Sequence, residues 1–267
     1  MGGAIVTALL NSVPPCQIIV TDHQIEKAAT FAEEHGTQLR ENNAAAVEAA
    51  DYIFLCVKPQ TCAVVVGEIA AILRASAEKG RPKVLCSILA GVSIKGLRAL
   101  IGVCDYPILR MMPNTPILIG EGMILLAADD ALQEEDRENL MQMLTPCGGQ
   151  TWVGEDLFDQ ATVVSGCAPA FAYQFIDALA EGGVMQGLGQ KEALVLAAKA
   201  VLGAASMVLH TGQSPKALID MVTSPGGSTI EGVRVFEAAG LADMTQKAVE
   251  ASYKRNVALG EVQKESQ

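Results

Sequence analysis

Aromatic residues, histidines and clusters of basic residues are all scarce in this chain. Aromatic side chains make up 4% of it although half of its residues are hydrophobic, so a core must be built from Ala, Val, Leu, Ile and Met. Lys and Arg number 19 against 30 Asp and Glu, which gives a net charge of −11. No segment concentrates the positive charge that nucleic acid or an anionic membrane surface would need. We therefore predict no nucleic-acid partner.

Paired cysteines and catalytic histidine motifs are also lacking. The seven cysteines are odd in number and scattered, form no C-x-x-C pair and have no histidine nearby. This argues against a disulfide framework and a metal site, and favours a reducing compartment. None of the three histidines, His23, His35 and His210, sits in a motif with a nucleophile, which argues against a hydrolase triad. No uncharged apolar run reaches about 18 residues and no basic segment opens the chain, so we expect a soluble cytoplasmic protein without a membrane partner.

Strands and helices alternate in the first part of the chain. Apolar runs predict strands at 16–21, 52–57, 83–88, 108–112, 123–127 and 150–153. Helical patterns lie between them, over 1–10, 25–35, 44–50 and 63–79, and beginning near 93 and 129. The run at 52–57 is apolar on both faces, as in a buried parallel strand. The alternation predicts a parallel α/β sheet.

From Leu157 onward the pattern is helical to the end. Pro169 marks either a kink in a long helix or a helix start. Residues 193–209 have only Lys199 and Ser206 as markedly polar side chains, so this helix is apolar almost all round. Either a partner chain covers it, or it is a central helix within the monomer.

Residues 222–230, Val-Thr-Ser-Pro-Gly-Gly-Ser-Thr-Ile, form a loop by composition. The proline fixes φ, and the two glycines allow positive φ and leave amides uncovered. Ser228 and Thr229 fit as the cap of a helix that opens at Ile230. Bare amides and two hydroxyls at a helix start suit a carboxylate or phosphate. An ordinary interhelical turn with a Ser/Thr cap is the alternative.

The N-terminal segment matches part of a dinucleotide-binding unit. Its predicted helix carries Gly2 and Gly3 at its start and has no strand before it. Asp22 follows Gly2 at about the 20-residue distance at which such units place the acid that binds the ribose. A carboxylate there accepts a bond from a ribose 2′-hydroxyl and repels a 2′-phosphate, and no arginine is adjacent in the sequence.

Several segments together resemble the signature of pyrroline-5-carboxylate reductase. They are residues 193–209, 211–215 and 220–233 and, earlier in the chain, Val57-Lys58-Pro59-Gln60, Ala90-Gly91-Val92-Ser93-Ile94, the Arg-Met-Met-Pro-Asn-Thr-Pro of 110–116 and Ser165-Gly-Cys-Ala-Pro169. Because the matches follow in order over nearly the whole chain, it is identified as a member of that family.

The resemblance implies a fold and an activity. The fold is a Rossmann-like dinucleotide-binding domain over 1–154, followed by an all-α substrate-binding and dimerisation domain over 155–267. The activity is the reduction of 1-pyrroline-5-carboxylate to L-proline by hydride transfer from NADPH or NADH, the last step of proline biosynthesis. The implied assembly is an interlocked homodimer, with a ring of dimers as its extension.

The resemblance also implies site residues. The substrate carboxylate is expected on the amides of Gly227, Ser228 and Thr229, with the Thr229 hydroxyl near the imine nitrogen as the catalytic group. Glu155 and Ser165 are further substrate contacts, and the implied cofactor contacts are Thr21, Asp22, Asn43, Val57, Lys58, Pro59, Ala90 and Asn114. A solvated cap is the alternative for Glu155, and a proline-framed turn is the alternative for Asn114.

Relatives begin with an apolar strand and a G-x-G-x-M-G turn, and this chain enters at the methionine of that turn. We expect a start upstream that supplies the strand, and weak or no dinucleotide binding by the 267 residues alone. Two other functions stay open: a related imine or β-hydroxyacid reductase, and a dimer that keeps the fold but binds no dinucleotide.

Overall fold

A computed structural model describes residues 1–264 and divides into two compact units. The first unit holds Met1–Cys167 together with the end of the last helix from Ser252, and the second holds Ala168–Ala251. The first unit thus runs past residue 154, because Phe158 is fully buried against Leu125 and Ala127 of the sheet. The predicted division into 1–154 and 155–267 remains a prediction, and its residues 265–267 lie outside the described part.

The helices and strands follow the predicted order. The strands are β1 Ile19–Val20, β2 Gln38–Leu39, β3 Tyr52–Leu55, β4 Val84–Ser87, β5 Ile108–Pro113, β6 Gly122–Ala127 and β7 Gly148–Trp152. The helices are α1 Gly2–Leu9, α2 Ile25–His35, α3 Asn43–Ala49, α4 Cys62–Glu78, α5 Ile94–Ile101, α6 Glu134–Leu144, α7 Phe158–Thr162, α8 Ala168–Met185, α9 Gln190–Thr211, α10 Pro215–Val222, α11 Ser228–Ala238 and α12 Leu241–Lys264.

The first unit is built on a five-stranded sheet of order β3-β4-β5-β6-β7, with β1 and β2 as a separate pair. The strands β3, β4 and β5 are parallel, as predicted. The strand β6 is antiparallel to β5, and β7 is parallel to β6. The reversal follows from the short connection, since the 3₁₀ turn Thr115–Ile119 joins β5 to β6 and a parallel crossover needs about a dozen residues or more.

Two short strands differ from the prediction. The strand β1 takes up only two residues of the predicted run, because Pro15–Gln17 forms a 3₁₀ turn. The strand β2 was missed, because two residues have no period to detect. It pairs in parallel with β1, and the Gln38 amide donates to the Ile18 carbonyl at 2.8 Å.

Helices cover both faces of the five-stranded sheet. On one face α1 and α6 pack on the strands, and the buried cluster includes Ile5, Leu9, Met111, Leu126 and Leu140. On the other face α4 and α5 pack on side chains of the opposite parity, with Val66, Leu73, Leu85, Leu97 and Ile108. This parity is the alternation expected for strands buried on both sides.

The second unit consists of helices, and its core is small. Ala180 of α8 packs against Ala193 and Ala197 of α9, which lets these helices approach closely. Most of α9 is exposed, and Leu196 and Leu209 are 58% and 83% exposed. The alternative of a central helix buried within the monomer is therefore wrong.

Three helical segments are long and apolar enough to cross a membrane by length and composition alone. They are Pro59–Glu78, Glu155–Met185 and Gln190–Thr211. No span is expected when only runs without any charge are considered, but each of these helices contains an apolar stretch of 18 residues with at most two charged side chains.

Two glycines face each other where β6 and β7 begin. Gly122 and Gly148 are register partners, and Gly148 has a φ of +117°. A Cβ on Gly122 would lie 2.7 Å from the Ile117 nitrogen and 2.8 Å from the Cys147 oxygen. Both are backbone atoms, so the clash cannot be relieved by rotating a side chain.

We predict that Gly122→Ala lowers the free energy of unfolding by about 2 kcal/mol or more, the usual range for overpacking a rigid site. The matched control is Gly67→Ala in α4, where a Cβ meets no heavy atom within 4 Å. That variant is expected to be neutral or stabilising by up to about 1 kcal/mol, since alanine favours helix. Urea denaturation of both variants measures the difference, and equal stability would contradict the packing described.

Candidate functional site

Most residues assigned to the cofactor follow the carboxyl ends of parallel strands. Val57 comes two residues after β3, Ala90 three after β4, and Asn114 directly after β5. Since these three strands are parallel neighbours, their carboxyl ends lie at one edge of the sheet. Ligands of open α/β sheets bind outside such an edge. The structure therefore brings these three residues to one edge, and their contact with a cofactor remains a prediction.

The start of α1 lies at the same edge. A Cβ on Gly2 would lie 3.0 Å from Cβ of Cys56, the residue after β3. No side chain caps this helix. An uncapped helix start attracts phosphate through its amides and dipole. The first amides of α1 therefore suit one phosphate of a dinucleotide, and the expectation of weak dinucleotide binding by these residues alone stays a prediction.

Thr21 and Asp22 follow β1, and the Asp22 carboxylate is held in a local turn. Its Oδ1 accepts from the Gln24 amide at 2.9 Å and lies 2.9 Å from Nδ1 of His23. Although no arginine is adjacent to Asp22 in the sequence, Arg40 lies near it in the structure. The Arg40 amide donates to the Val20 carbonyl at 3.0 Å, so the end of β2 lies beside the end of β1. The sequence did not reveal this neighbour, because β2 was not predicted.

Asn43, Lys58 and Pro59 lie on the turns that follow these strands. Asn43 is the first residue of α3, and its Nδ2 donates to the Glu68 carboxylate at 2.7 Å. Lys58 is exposed, and its carbonyl accepts from the Thr61 hydroxyl at 2.9 Å. Pro59 opens a 3₁₀ turn before α4. In this structure the Asn43 amide is thus occupied by a contact within the protein.

Asn114 connects the end of β5 to two other segments. Its Oδ1 accepts from the Met123 amide at 2.9 Å, and its Nδ2 donates to the Ser165 carbonyl at 3.1 Å. These bonds join a predicted cofactor residue to a predicted substrate residue. The side chain is occupied by this link, in agreement with the turn alternative for Asn114.

The missing N–H of Pro169 explains why the Ser165 carbonyl has no α-helical donor. In an α-helix this carbonyl would accept from the amide of residue 169, which is a proline and has no N–H. The segment Val163–Cys167 forms a π-turn between α7 and α8, and the Ser165 hydroxyl donates to the Ala161 carbonyl at 3.2 Å. Pro169 is the second residue of α8, so the helical path is interrupted just before it.

A buried arginine organises the segment that contains Glu155. The Arg110 side chain is only 3% exposed, and its Nη2 lies 2.7 Å from Oδ1 of Asp159. Its Nη1 lies 3.7 Å from Oε1 of Glu155, and its guanidinium stacks on Phe158 at 4.3 Å from the ring centroid. A charged residue within an apolar strand was the sequence signal for this cluster.

Glu155 caps a helix rather than pointing freely into solvent. Its Oε1 accepts from the Ile94 amide, the first of α5, at 2.6 Å. The Ser93 hydroxyl caps the same helix by accepting from the Gly96 amide at 3.1 Å. Glu155 thus links Arg110 to the turn that carries Ala90, and both of its described contacts are within the protein.

The loop at 222–230 differs from its prediction at the helix start. The helix α11 begins at Ser228, two residues earlier than expected, and Gly227 is its N-cap residue without a side-chain cap. The Gly227 amide donates to the Ser224 carbonyl at 3.0 Å. The expected cap by Ser228 and Thr229 is therefore wrong, and the Gly227 amide is occupied by the turn.

The backbone of this loop requires glycine at 226, and a side chain at 227 would crowd Ser224. Gly226 has a φ of +74°, and a Cβ on Gly227 would lie 2.7 Å from Oγ of Ser224. Because no side chain caps α11, the amides of its first turn and the exposed hydroxyls of Ser228 and Thr229 remain open to a ligand.

Burial makes several cysteines unreactive. Desolvation raises the pKa of the Cys56 thiol to about 11, and the same cause raises the pKa of Cys62 and of Cys147 to about 11. These thiols stay protonated at neutral pH, and a protonated thiol is a poor nucleophile because the reactive form is the thiolate. Cys56 lies at the carboxyl edge of the sheet, and its role there is packing.

Comparisons with known proteins agree along nearly the whole chain. Residues 155–259 match the family model described as pyrroline-5-carboxylate reductase dimerisation. Residues 1–91 match the model described as NADP oxidoreductase coenzyme F420-dependent. The predicted fold class, a Rossmann-like unit followed by a helical one, is thereby confirmed.

Curated relatives and solved structures point to one family. The pyrroline-5-carboxylate reductase of Escherichia coli is 37% identical over 242 residues, which cover 90% of this chain and 87% of that protein. The Synechocystis reductase is 35% identical over 265 residues, with coverage of 97% and 96%. A Coxiella burnetii structure has a TM-score of 0.86 at 30% identity and covers 97% of this chain and 94% of its own. The Plasmodium falciparum structure with NADP bound has a TM-score of 0.83 at 26% identity, with the same coverage. The chain therefore belongs to the pyrroline-5-carboxylate reductase family.

Proposed function

We propose that this protein reduces 1-pyrroline-5-carboxylate to L-proline with NADPH or NADH, as the last step of proline biosynthesis. The observation that carries the proposal is the open start of α11, where uncapped amides stand beside the exposed hydroxyls of Ser228 and Thr229. A carboxylate is the ligand that such a helix start favours. The substrate of this family is a cyclic imine that carries one.

The chemistry needs positioning more than acids and bases. When bound, the cofactor supplies a hydride from its nicotinamide ring to the imine carbon. The protein must hold the reacting atoms at near-attack distance and exclude water. We assign the substrate carboxylate to the amides of Ser228 and Thr229, and the imine nitrogen to the Thr229 hydroxyl. Gly227 shapes the turn, since its own amide is bonded to Ser224.

The remaining predicted residues fall into two groups. Those assigned to direct contact with the cofactor are Thr21, Val57, Lys58, Pro59 and Ala90, the start of α1, and Asp22 through Oδ2, since its Oδ1 is bonded to the Gln24 amide. Asn43, Asn114, Glu155 and Ser165 are bonded within the protein and are assigned to holding the turns in place. This division follows from which side chains are already occupied.

The protein forms homo-oligomers through its helical part, which matches the family's dimerisation model. We propose a homodimer, with a ring of dimers as a higher state, in the cytoplasm. The exposed apolar side chains of α8, α9 and α10 include Tyr173, Val195, Leu202, Leu209 and Met221. An exposed apolar surface of this kind marks an interaction site. We propose that a second copy of the chain, rather than lipid, buries it.

The first test of the proposed site is Thr229→Ala. Its kcat/KM for 1-pyrroline-5-carboxylate should fall about tenfold or more, because one polar contact worth roughly 1.4 kcal/mol is lost. Thr30→Ala is the matched control, since Thr30 is an exposed helical threonine on α2 whose hydroxyl donates to the Glu26 carbonyl at 3.0 Å. Turnover of Thr229→Ala equal to that of the control would remove Thr229 from the substrate site.

The second test concerns assembly. Light scattering at micromolar concentration without detergent should give at least a dimer, because the apolar face of α9 requires a partner. A stable monomer would contradict the proposed cover, and so would recovery of the protein in the membrane fraction.

A further inference from the structure

Arg40 lies beside the strand end that carries the predicted ribose-binding acid. Val20 pairs with Leu39 in the parallel register of β1 and β2. The Arg40 amide then donates to the Val20 carbonyl, so Arg40 is level with Thr21, one residue before Asp22. A cation and an anion therefore follow two neighbouring strands at the same end.

The Arg40 guanidinium has only neutral partners. Its Nη1 donates to the Leu39 carbonyl at 3.0 Å, and its Nη2 donates to Oε1 of Gln38 at 2.9 Å. Within residues 1–264 no carboxylate lies within ion-pair distance of it. Other arginines of the chain do have carboxylate partners, as Arg98, Arg110, Arg137 and Arg234 show. The Arg40 side chain is also partly exposed, so its charge remains available to a ligand.

Asp22 and Arg40 suit different groups on an adenosine ribose. A carboxylate accepts from the 2′-hydroxyl of NADH, whereas a nearby arginine accommodates the 2′-phosphate of NADPH. The planar guanidinium can donate two bonds to one phosphate, and a charged acceptor holds such bonds more strongly than the neutral oxygens do.

We propose that Arg40 forms the subsite for the 2′-phosphate of NADPH, and that the protein binds both cofactors because Arg40 offsets the repulsion by Asp22. The inference rests on the proposed function, since it places the adenosine end of the cofactor at β1 and β2. It concerns only the discrimination between the two cofactors and leaves the reducing end unchanged.

The test measures binding of cofactor fragments that lack the nicotinamide. Adenosine 2′,5′-bisphosphate and adenosine 5′-monophosphate differ only in the 2′-phosphate. Calorimetry on the full chain should show that Arg40→Ala lowers the affinity for the bisphosphate about tenfold or more, because a charge-assisted phosphate contact is lost. The affinity for the monophosphate should change by less than about twofold. Arg40→Lys should keep part of the affinity.

Arg81→Ala is the control, because Arg81 is an exposed arginine between α4 and β4 and should affect neither fragment. Asp22→Asn should raise the affinity for the bisphosphate and lower the affinity for the monophosphate. Equal effects of Arg40→Ala on the two fragments would overturn the proposal, and so would no effect, or no detectable binding of the bisphosphate to the wild type.

Failure here is distinguishable from failure of the proposed function. If the wild type makes proline and Arg40→Ala binds both fragments as tightly as the wild type does, only the Arg40 subsite is overturned. If the wild type makes no proline but Arg40→Ala selectively lowers the affinity for the bisphosphate, only the proposed reductase activity is overturned.

Discussion

The buried guanidinium of Arg110 is the contact on which the sheet edge depends. A charge removed from water is tolerated only when it is paired, and breaking one such pair costs about 3–5 kcal/mol. Arg110 therefore requires Asp159 and Glu155 to lie against β5, with Phe158 stacked on it. Glu155 in turn accepts from the first amide of α5. The turn after β4 and the segment at 155–159 are thus fixed by one cation.

A second link reinforces the same edge from β5. Pro169 has no amide N–H, so the Ser165 carbonyl is left without its usual α-helical donor, and the Asn114 side chain donates to it instead. The Asn114 side chain is held at its other end by the Met123 amide of β6. Asn114 and Ser165, which the sequence assigns to cofactor and substrate contacts, therefore connect segments of the protein through hydrogen bonds. The open groups are instead the helix starts of α1 and α11.

Long, periodic elements could be predicted from the sequence, and locally bonded side chains could not. The helix α4 and the strands β3 to β5 carry enough apolar periodicity to identify their type and order. The strand β2 has two residues, too few for any period, and without it Arg40 could not be placed beside Asp22. The position of the α11 start depends on the bond from Gly227 to Ser224, which composition does not encode. The exposure of α9 was open to two interpretations until its neighbours were known.

Hydride transfer from NADPH to the imine of 1-pyrroline-5-carboxylate can be followed directly. The most direct measurement follows NADPH oxidation by the purified protein and identifies the product by chiral chromatography. One L-proline should form for each NADPH consumed, and no NADPH should be oxidised without the imine. Absence of L-proline when the imine and NADPH are both supplied in excess to folded protein would contradict the proposed function.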